Sequence, residues 1–446
     1  MKYSDEENYK RMTETPIPKL IISLAVPTTV SQLITTIYNT ADTFFVSQLS
    51  TSATAAAGVV FALMTIMQAV GSGLGMGANS LISRRLGAKR KEEADCYGSS
   101  AFFASIIFGF FLLILGLCFL EELMTLLGST KTILPYACDY GGYILIGAPI
   151  MCSSYVMNNI LRSEGEAFLA MWGLSIGGII NVFLDPVLIF YFQMGIKGAA
   201  IATVLSQTIS FVILLSMFLR KKSMVSLNVR CISRKPYIYL EIIKSGLPTI
   251  CRQSLGSVSS SLLNIQAAQF GDTAVAAVTI ANKIYMLVRN LILGIGQGFQ
   301  PVVGFNYGAG KKDRVRQAFV FTCQVGTILC TTVAVILSLN ASNVIAWFRK
   351  DDLEVIRMGI KALYFACFVM PMMAYSTYVN QLYQSLGFSS QATFLASCRQ
   401  GICFIPLVFI LPTILSDTGV EMAQPASDFL TFLISIVFQK FFLNKI

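Results

Sequence analysis

The feature that most limits what this chain can fold into is the recurrence of long apolar runs along its whole length. A helix needs about 20 apolar residues to cross a lipid bilayer, and the chain offers twelve such runs, separated by short polar breaks. Hydrophobic residues make up 55% of the 446 residues and charged residues only 13%, which is about half the charged share of an average soluble domain. We therefore predict an all-α membrane protein with twelve transmembrane helices.

The runs fall into two sets of six, with the longest basic break between them. The first set lies at about residues 18–46, 53–82, 97–119, 134–159, 168–192 and 196–219. The second set lies at about residues 237–264, 274–303, 317–340, 355–384, 391–413 and 425–443. The predicted domains are an N-terminal segment (1–17), a first lobe (18–219), a basic linker (220–236) and a second lobe (237–446).

The net charge of +10 comes from Lys and Arg residues that cluster in alternate breaks between the runs. Such residues concentrate on the cytoplasmic side of membrane proteins. The pattern predicts a multi-pass protein of the bacterial cytoplasmic membrane with both termini in the cytoplasm and with membrane lipids around it. The same pattern explains the excess of basic residues without a nucleic-acid partner.

Polar chemistry elsewhere in the chain does not indicate an enzyme. The chain has no histidine, and its eleven cysteines are scattered singly, which gives no spacing typical of a disulfide framework or a zinc site. A membrane-embedded enzyme would also need a clustered nucleophile and base. We expect no catalytic residues and no cofactor.

The two sets of runs are repeats of one unit. At a constant offset of 221 residues, Pro27 matches Pro248 and Gly73 matches Gly294, within a register that holds over about sixty residues. Each unit contains an even number of spans, so both have the same orientation in the bilayer. Parallel repeats that flank a cleft are typical of transporters that open to each side of the membrane in turn. We therefore predict a V-shaped transporter of two six-helix lobes.

Glycines spaced four residues apart recur in the second and eighth spans, as in Gly73 with Gly77 and Gly294 with Gly298. Small residues at this spacing let helices pack closely, and flexing during transport is the alternative interpretation. The glycines lie inside apolar runs and not after a strand, which excludes a nucleotide-binding loop.

Two carboxylates inside the spans are the strongest functional signal, because ionisable residues in a bilayer are costly and mark functional sites. From the helical rise per residue, Asp42, Asp185 and Thr203 should all lie at one depth in the outer half of the membrane. Asn181 precedes Asp185 by one turn, and Pro186 interrupts the helical hydrogen bonds and frees a carbonyl. Such an all-oxygen cluster suits Na⁺ or a shared proton.

The alternative is that each acid only pairs with a buried base such as Lys283 or Arg289. The repeat serves as a control, because the equivalent positions of the second half hold Leu263 and Ile405 in place of the two acids. Acids that belonged only to the scaffold should be needed in both halves. We therefore expect the first half to carry the ionisable site and the second half to carry none.

The chain resembles the multidrug and toxic compound extrusion (MATE) family over essentially its whole length. The segments that carry the resemblance are VPTTVSQLITTIYNTADTFFVSQL (26–49), NNILRSEG (158–165), IINVFLDPVLIF (179–190), GAAIATVLSQ (198–207) and GIGQGFQPVVGFNYGAGKKDRV (294–315). The resemblance implies two six-helix lobes and the export of organic cations driven by Na⁺ or H⁺. Its main rival is a lipid-linked-sugar flippase of the same superfamily, whose cavity would be cationic, whereas the ionisable cluster identified here is acidic.

The resemblance also implies roles for individual residues. The cation-coupling positions of the family fall on Asp42, Asn181, Asp185 and Thr203, and its first-helix kink proline falls on Pro27. Some branches carry further acids in spans seven and ten, where this chain has none. The chain therefore resembles the branch that couples through the first lobe.

Substrate contacts are predicted beside the coupling site. Tyr38 and Asn39 lie one turn before Asp42, and Asn158 lies in span four. Aromatic and Met side chains attract cations and apolar groups, so the expected substrates are amphipathic and mostly cationic drugs or toxins. We expect the transporter to function as a monomer.

Overall fold

The computed structural model describes residues 5–348 and 352–443, and over these residues the regular secondary structure is all helical, with no strand. The helices of the first half are α1 (Asp5–Glu14), α2 (Ile17–Ser47), α3 (Thr51–Gly87), α4 (Lys91–Cys118), α5 (Leu120–Leu126), α6 (Leu134–Ile146), α7 (Ala148–Ser163), α8 (Ala167–Pro186) and α9 (Gly195–Leu219). Those of the second half are α10 (Pro236–Ala268), α11 (Asp272–Gly308), α12 (Lys312–Leu339), α13 (Ala341–Phe348), α14 (Leu353–Leu386), α15 (Ser389–Ser397), α16 (Phe404–Leu415) and α17 (Asp417–Leu443).

The long helices account for the twelve predicted spans. In the described part of the chain, nine helical segments are long and apolar enough to cross a membrane, and the bent pair α6 and α7 adds a tenth. The other two are α10 and α14, which are 33 and 34 residues long and more polar. Polar residues of α10 line a cavity between the lobes, described below.

Span four departs from the straight helix that the sequence predicts. It is broken at Gly147, and α6 and α7 meet at an angle of 50°. Pro149 lies in the first turn of α7, where its missing N–H costs nothing, whereas it could not continue a helix from α6. The bend follows from this local sequence.

The repeat is visible in the structure as equal helices and equivalent contacts. Helices α3 and α11 both have 37 residues, and α4 and α12 both have 28. In the first half, Asn158 Nδ2 donates to the carbonyl of Ala170 at 2.6 Å. In the second half, Asn380 Nδ2 donates to the carbonyl of Ala392 at 2.5 Å. The same amide therefore joins the same pair of spans in each lobe.

The glycines of α3 and α11 hold the two lobes together. Gly73 lies against Ile250 of α10, and its repeat equivalent Gly294 lies against Thr29 of α2. Gly77 packs in the same way on the backbone of Ile242. A side chain at any of these positions would overlap the facing helix. The prediction that the glycines serve close packing is confirmed.

The contacts between lobes continue to one end of the bundle, which we call the basic end and define by α1, residues 88–90, residues 220–235 and residues 309–311. Near this end Gly87 packs on Phe305, and Gly308 packs on the backbone of Arg84. At the other end of α3, no heavy atom of a neighbouring helix lies within 4 Å of a Cβ added at Gly58. The lobes therefore meet most closely at the basic end.

Helix α1 is a polar helix that lies across the basic end and bridges the lobes. Arg11 Nη2 donates to the carbonyl of Gly165 in the first lobe at 2.6 Å. Asn306 Nδ2 of the second lobe donates to the carbonyl of Met12 at 3.0 Å, and Arg314 Nη2 donates to that of Thr15 at 2.6 Å. The span prediction did not include this helix because it has no apolar run.

The basic linker is attached to the first lobe through the carboxylate of Glu164. This side chain is fully buried in the loop after α7, and it accepts hydrogen bonds from Ser223 Oγ at 2.6 Å and from the backbone N–H groups of Met224 and Val225 at 2.9 Å. Removal from water outweighs these donors and raises the pKa of Glu164 to about 7. Because that pKa lies above the usual value, the stability contributed by this group decreases as the pH rises from about 4.5 to about 7.

Glu164→Ala should release the linker from the first lobe. The substitution leaves the buried N–H of Val225 and the partly buried N–H of Met224 without acceptors, and an unsatisfied buried donor costs about 1–3 kcal/mol. We expect trypsin to cleave the purified variant after Lys221 or Lys222 much faster than the wild type, as followed by mass spectrometry. The control is Glu166→Ala, which removes only the partly exposed contact with Arg11. Equal cleavage rates in the two variants would show that Glu164 does not anchor the linker.

Candidate functional site

The four predicted coupling residues come together inside the first lobe, in what we call the acid pocket. Asn181 and Asp185 lie on α8, and Asn181 Nδ2 donates to Asp185 Oδ1 at 3.0 Å. The same amide lies 3.5 Å from Thr203 Oγ1 of α9. Asp42 of α2 is close enough to interact electrostatically with Asp185. Helix α2 and the consecutive helices α8 and α9, which lie more than 100 residues further along the chain, therefore bring their polar groups to one place.

A fifth member, Tyr140 of α6, was missed by the sequence analysis. Its buried hydroxyl donates to Asp42 Oδ2 at 3.3 Å and is within hydrogen-bonding reach of Thr203. A tyrosine in an apolar span gives no ionisable signal, and no spacing in the sequence relates it to Asp42. Only the tertiary packing of α6 against α9 shows the contact.

The acid pocket contains more acceptors than donors. Asp42 Oδ1, Asp185 Oδ2 and Asn181 Oδ1 are buried without a hydrogen-bond partner. Two carboxylates in a dehydrated site cannot both stay charged at low cost, and buried acceptors without donors are unfavourable. An added cation or proton would relieve both penalties. The donor set of carboxylate, amide and hydroxyl oxygens fits a hard cation such as Na⁺ as well as a proton.

The alternative pairing of the acids with buried bases is not what the structure shows. Neither Asp42 nor Asp185 forms a salt bridge with a described residue. Lys283 is exposed on α11, and Arg289 lines a separate cavity between the lobes.

The two predicted helix kinks have different surroundings. Pro186 ends the regular part of α8, and one wide helical turn, Val187–Tyr191, follows it. Pro27 lies inside α2, which runs without a break from Ile17 to Ser47. The next residue, Thr28, donates its hydroxyl to the carbonyl of Gly294 across the lobes at 2.7 Å. This part of α2 is therefore in direct contact with the second lobe.

The predicted substrate contacts have distinct environments. Tyr38 is buried against Gly178, with its hydroxyl in hydrogen-bonding reach of Tyr155. Asn39 is partly exposed on the same helix. Asn158 lines the cavity between the lobes, although its amide nitrogen already bonds α8. Their role in substrate binding stays a prediction.

The cavity between the lobes has a volume of about 190 Å³ and a basic lining, which the sequence analysis did not anticipate. Arg162 of α7, Arg252 of α10 and Arg289 of α11 all line it, together with several amide side chains. The acidic character predicted for the cleft holds only for the acid pocket inside the first lobe. The expectation failed because charges from one span of the first lobe and two of the second meet at the interface of the repeats.

The second half also carries an ionisable cluster, which the sequence analysis did not anticipate. Arg399 Nε, after α15, donates to Asp428 Oδ1 of α17 at 2.7 Å, and Arg399 Nη2 donates to the hydroxyl of Tyr285 at 2.6 Å. These residues do not occupy the repeat positions of Asp42 and Asp185. The comparison of equivalent positions could therefore not reveal them.

These features define a class of protein: a multi-pass membrane transporter of two repeated helical lobes, with a polar cavity between them and a buried acid pocket in one lobe. The MatE family model matches residues 27–187 and 248–410. Because these matches cover well over half of the chain, the chain belongs to the MatE family.

Individual relatives agree with this membership. The multidrug export protein MepA of Staphylococcus aureus (strain MSSA476) is 24% identical over 420 residues, with 93% of this chain and 92% of that protein covered. MepA of Staphylococcus haemolyticus (strain JCSC1435) is 25% identical over 418 residues, with 91% and 90% covered. A solved structure described as the outward-facing conformation of a multidrug resistance MATE family transporter of the MOP superfamily has a TM-score of 0.93, 26% identity and 98% coverage of both chains. The chain is a multidrug efflux transporter and not an enzyme, and the twelve-helix, two-repeat fold is confirmed.

Proposed function

We propose that this transporter is a secondary active antiporter that exports amphipathic, mostly cationic compounds in exchange for H⁺ or Na⁺. The observation that supports coupling is the acid pocket, where Asp42 and Asp185 meet and each keeps a buried oxygen without a donor. This arrangement favours the uptake of one positive charge. It uses no cofactor beyond the coupling ion.

The drug and the coupling ion are exchanged as the transporter opens to each side of the membrane in turn. If the coupling ion and the drug prefer different arrangements of the lobes, each lowers the affinity of the other by the same factor. Helix α2 is suited to carry this linkage, because Asp42 lies in the acid pocket while Thr28 on the same helix bonds the second lobe. A change at the pocket can therefore alter the contact between the lobes.

The orientation that we propose places the basic end in the cytoplasm of a bacterium, with both termini on that side of the plasma membrane. The bias of Lys and Arg supports it. The structure would then be closed to the cytoplasm and outward-facing, which is also the conformation described for the similar MATE transporter of known structure. The proposed domain limits are those predicted from the sequence, with the first lobe at residues 18–219 and the second at residues 237–446. The proposed functional unit is a monomer surrounded by lipid.

The proposed substrates are lipophilic cations. The acid pocket supplies negative charge, and Tyr38 and Tyr155 supply aromatic rings between it and the cavity. Aromatic faces attract cations by about 0.5–2 kcal/mol. A substrate panel in which anionic compounds are exported and ethidium-like cations are not would contradict this part of the proposal.

The test is efflux of a fluorescent cation from proteoliposomes under separately imposed gradients. We expect the dye to move against its own gradient when either Na⁺ or H⁺ alone supplies the driving force, and to stop when an ionophore for that ion is added. A control with both gradients absent should show only passive leakage. Efflux that requires ATP, or that is indifferent to both ions, would refute antiport.

A further inference from the structure

The three arginines of the cavity between the lobes have few partners of their own. Arg162 is only 5% exposed and donates to Gln297 Oε1, while its Nε has no acceptor. Arg252 contacts the side-chain oxygens of Asn380 at 3.3 Å and Thr249 at 3.4 Å, both of them neutral. Arg289 Nε is buried without an acceptor. The donors of these guanidinium groups are therefore only partly used.

No carboxylate neutralises these charges within the cavity. Among the described residues, the lining contains amides, hydroxyls and apolar groups but no Asp or Glu. Arg289 interacts electrostatically with the acid Asp428, which Arg399 already binds at 2.7 Å. Arg252 and Arg289 also repel each other. Positive charge that is buried without a counter-charge is unfavourable unless an anion joins it.

The cavity is next to the acid pocket. Tyr155 lines the cavity and lies in hydrogen-bonding reach of Tyr38. Tyr38 in turn interacts electrostatically with Asp42, one turn further along α2. A path of two aromatic side chains therefore connects a basic region between the lobes with an acidic region inside the first lobe.

We propose that the cavity between the lobes binds an acidic group of the transported compound, a carboxylate or a sulfonate, so that the preferred substrates are zwitterionic amphiphiles. The proposal rests on the export function above and narrows its substrate class. Guanidinium groups bind carboxylates with two parallel hydrogen bonds and suit sites of this kind. The cationic part of the same molecule then lies toward the aromatic path and the acid pocket.

The test is equilibrium binding of two matched dyes to the purified protein in nanodiscs of neutral lipid. Rhodamine 110 carries a free carboxylate, and rhodamine 123 is its methyl ester and a simple cation. Fluorescence anisotropy should show tighter binding of rhodamine 110 to the wild type. In the double variant Arg252→Gln, Arg289→Gln, its affinity should fall at least about tenfold, while the affinity for rhodamine 123 stays the same or rises.

Two variants separate charge recognition from damage to the fold. Lys283→Gln removes an exposed cation from the same helix as Arg289 and should leave both affinities unchanged. Arg289→Lys keeps the charge and should retain most of the rhodamine 110 binding. Thermal unfolding should give similar midpoints for all variants. Equal affinity of the wild type for the two dyes, or a parallel loss of both in the double variant, would overturn the proposal.

Competition identifies the source of the acidic group. Benzoate at millimolar concentration should displace rhodamine 110 but not rhodamine 123. Displacement by anionic lipid in the nanodisc, without any effect of benzoate, would assign the arginines to lipid and overturn the substrate proposal. Because binding is measured without an ion gradient, its failure is distinguishable from failure of the antiport proposal, which only the efflux assay tests.

Discussion

Asp42→Asn and Asp185→Asn should each abolish ion-driven efflux while leaving the transporter folded. Asparagine has nearly the shape of aspartate, but it replaces one acceptor oxygen with an NH2 donor and can neither take up a proton nor offer a full negative charge to Na⁺. Coupling free energies between two ligands correspond to about 5–150-fold changes in affinity, and we expect a loss at the upper end of that range. The measurement is the initial rate of dye efflux from proteoliposomes under Na⁺ and pH gradients, with the unfolding temperature measured in parallel.

The repeat provides matched controls for these two variants. Leu263→Asn and Ile405→Asn place the same amide at the equivalent positions of the second half. Both sites pack against apolar neighbours, so the variants should lose stability by about 1–3 kcal/mol and still respond to the gradient that drives the wild type. Full gradient-driven efflux by the double variant Asp42→Asn, Asp185→Asn would refute the assignment of the coupling site.

Gly77→Ala should shift the transporter away from the state in which the basic end is closed. A Cβ at this position would overlap the carbonyl oxygen of Ile242, and the backbone of Gly246 is also in contact. Overpacking of a tight contact costs about 1–3 kcal/mol, and each 1.4 kcal/mol is a factor of ten in an equilibrium. We expect efflux to slow about tenfold, with faster hydrogen–deuterium exchange in peptides that contain residues 242–250.

Gly58→Ala, on the same helix, separates this packing effect from the general effect of the substitution. No atom lies within 4 Å of a Cβ added at Gly58, and alanine favours a helix over glycine by about 1 kcal/mol. This variant should transport normally and unfold at a similar or higher temperature. If both alanine variants behave alike, the contact of α3 with α10 does not limit the transport cycle.

The acid pocket could be predicted from sequence because the rise of a helix turns residue number into depth. Asp42, Asp185 and Thr203 each have a known distance from a predicted span end, and in the structure they meet. Tyr140 could not be predicted in this way, since its hydroxyl belongs to the pocket only through the packing of α6 beside α9. The acids were predicted from the high energetic cost of a charged residue in the membrane. The uncharged hydroxyl of a tyrosine in an apolar span does not meet that criterion.

The residues that make the cavity basic are visible in the sequence, but the sequence analysis did not predict that they meet. Arg162, Arg252 and Arg289 are ionisable residues in or near spans, which is the same signal that identified the acids. Of the three, only Arg289 entered the sequence prediction, as a possible partner for the acids. Their meeting depends on how the two repeats face each other, and a search for equivalent residues within the repeats cannot show it.

The position of α1 has a consequence for how the chain is made. Its hydrogen bonds go to Gly165 in the first lobe and to Asn306 and Arg314 in the second. Helix α1 precedes both lobes in the chain and therefore has no complete binding place until the eighth and ninth spans have been inserted and have met the first lobe. Docking of α1 is thus a late step of biogenesis, and it reports that the two halves have assembled.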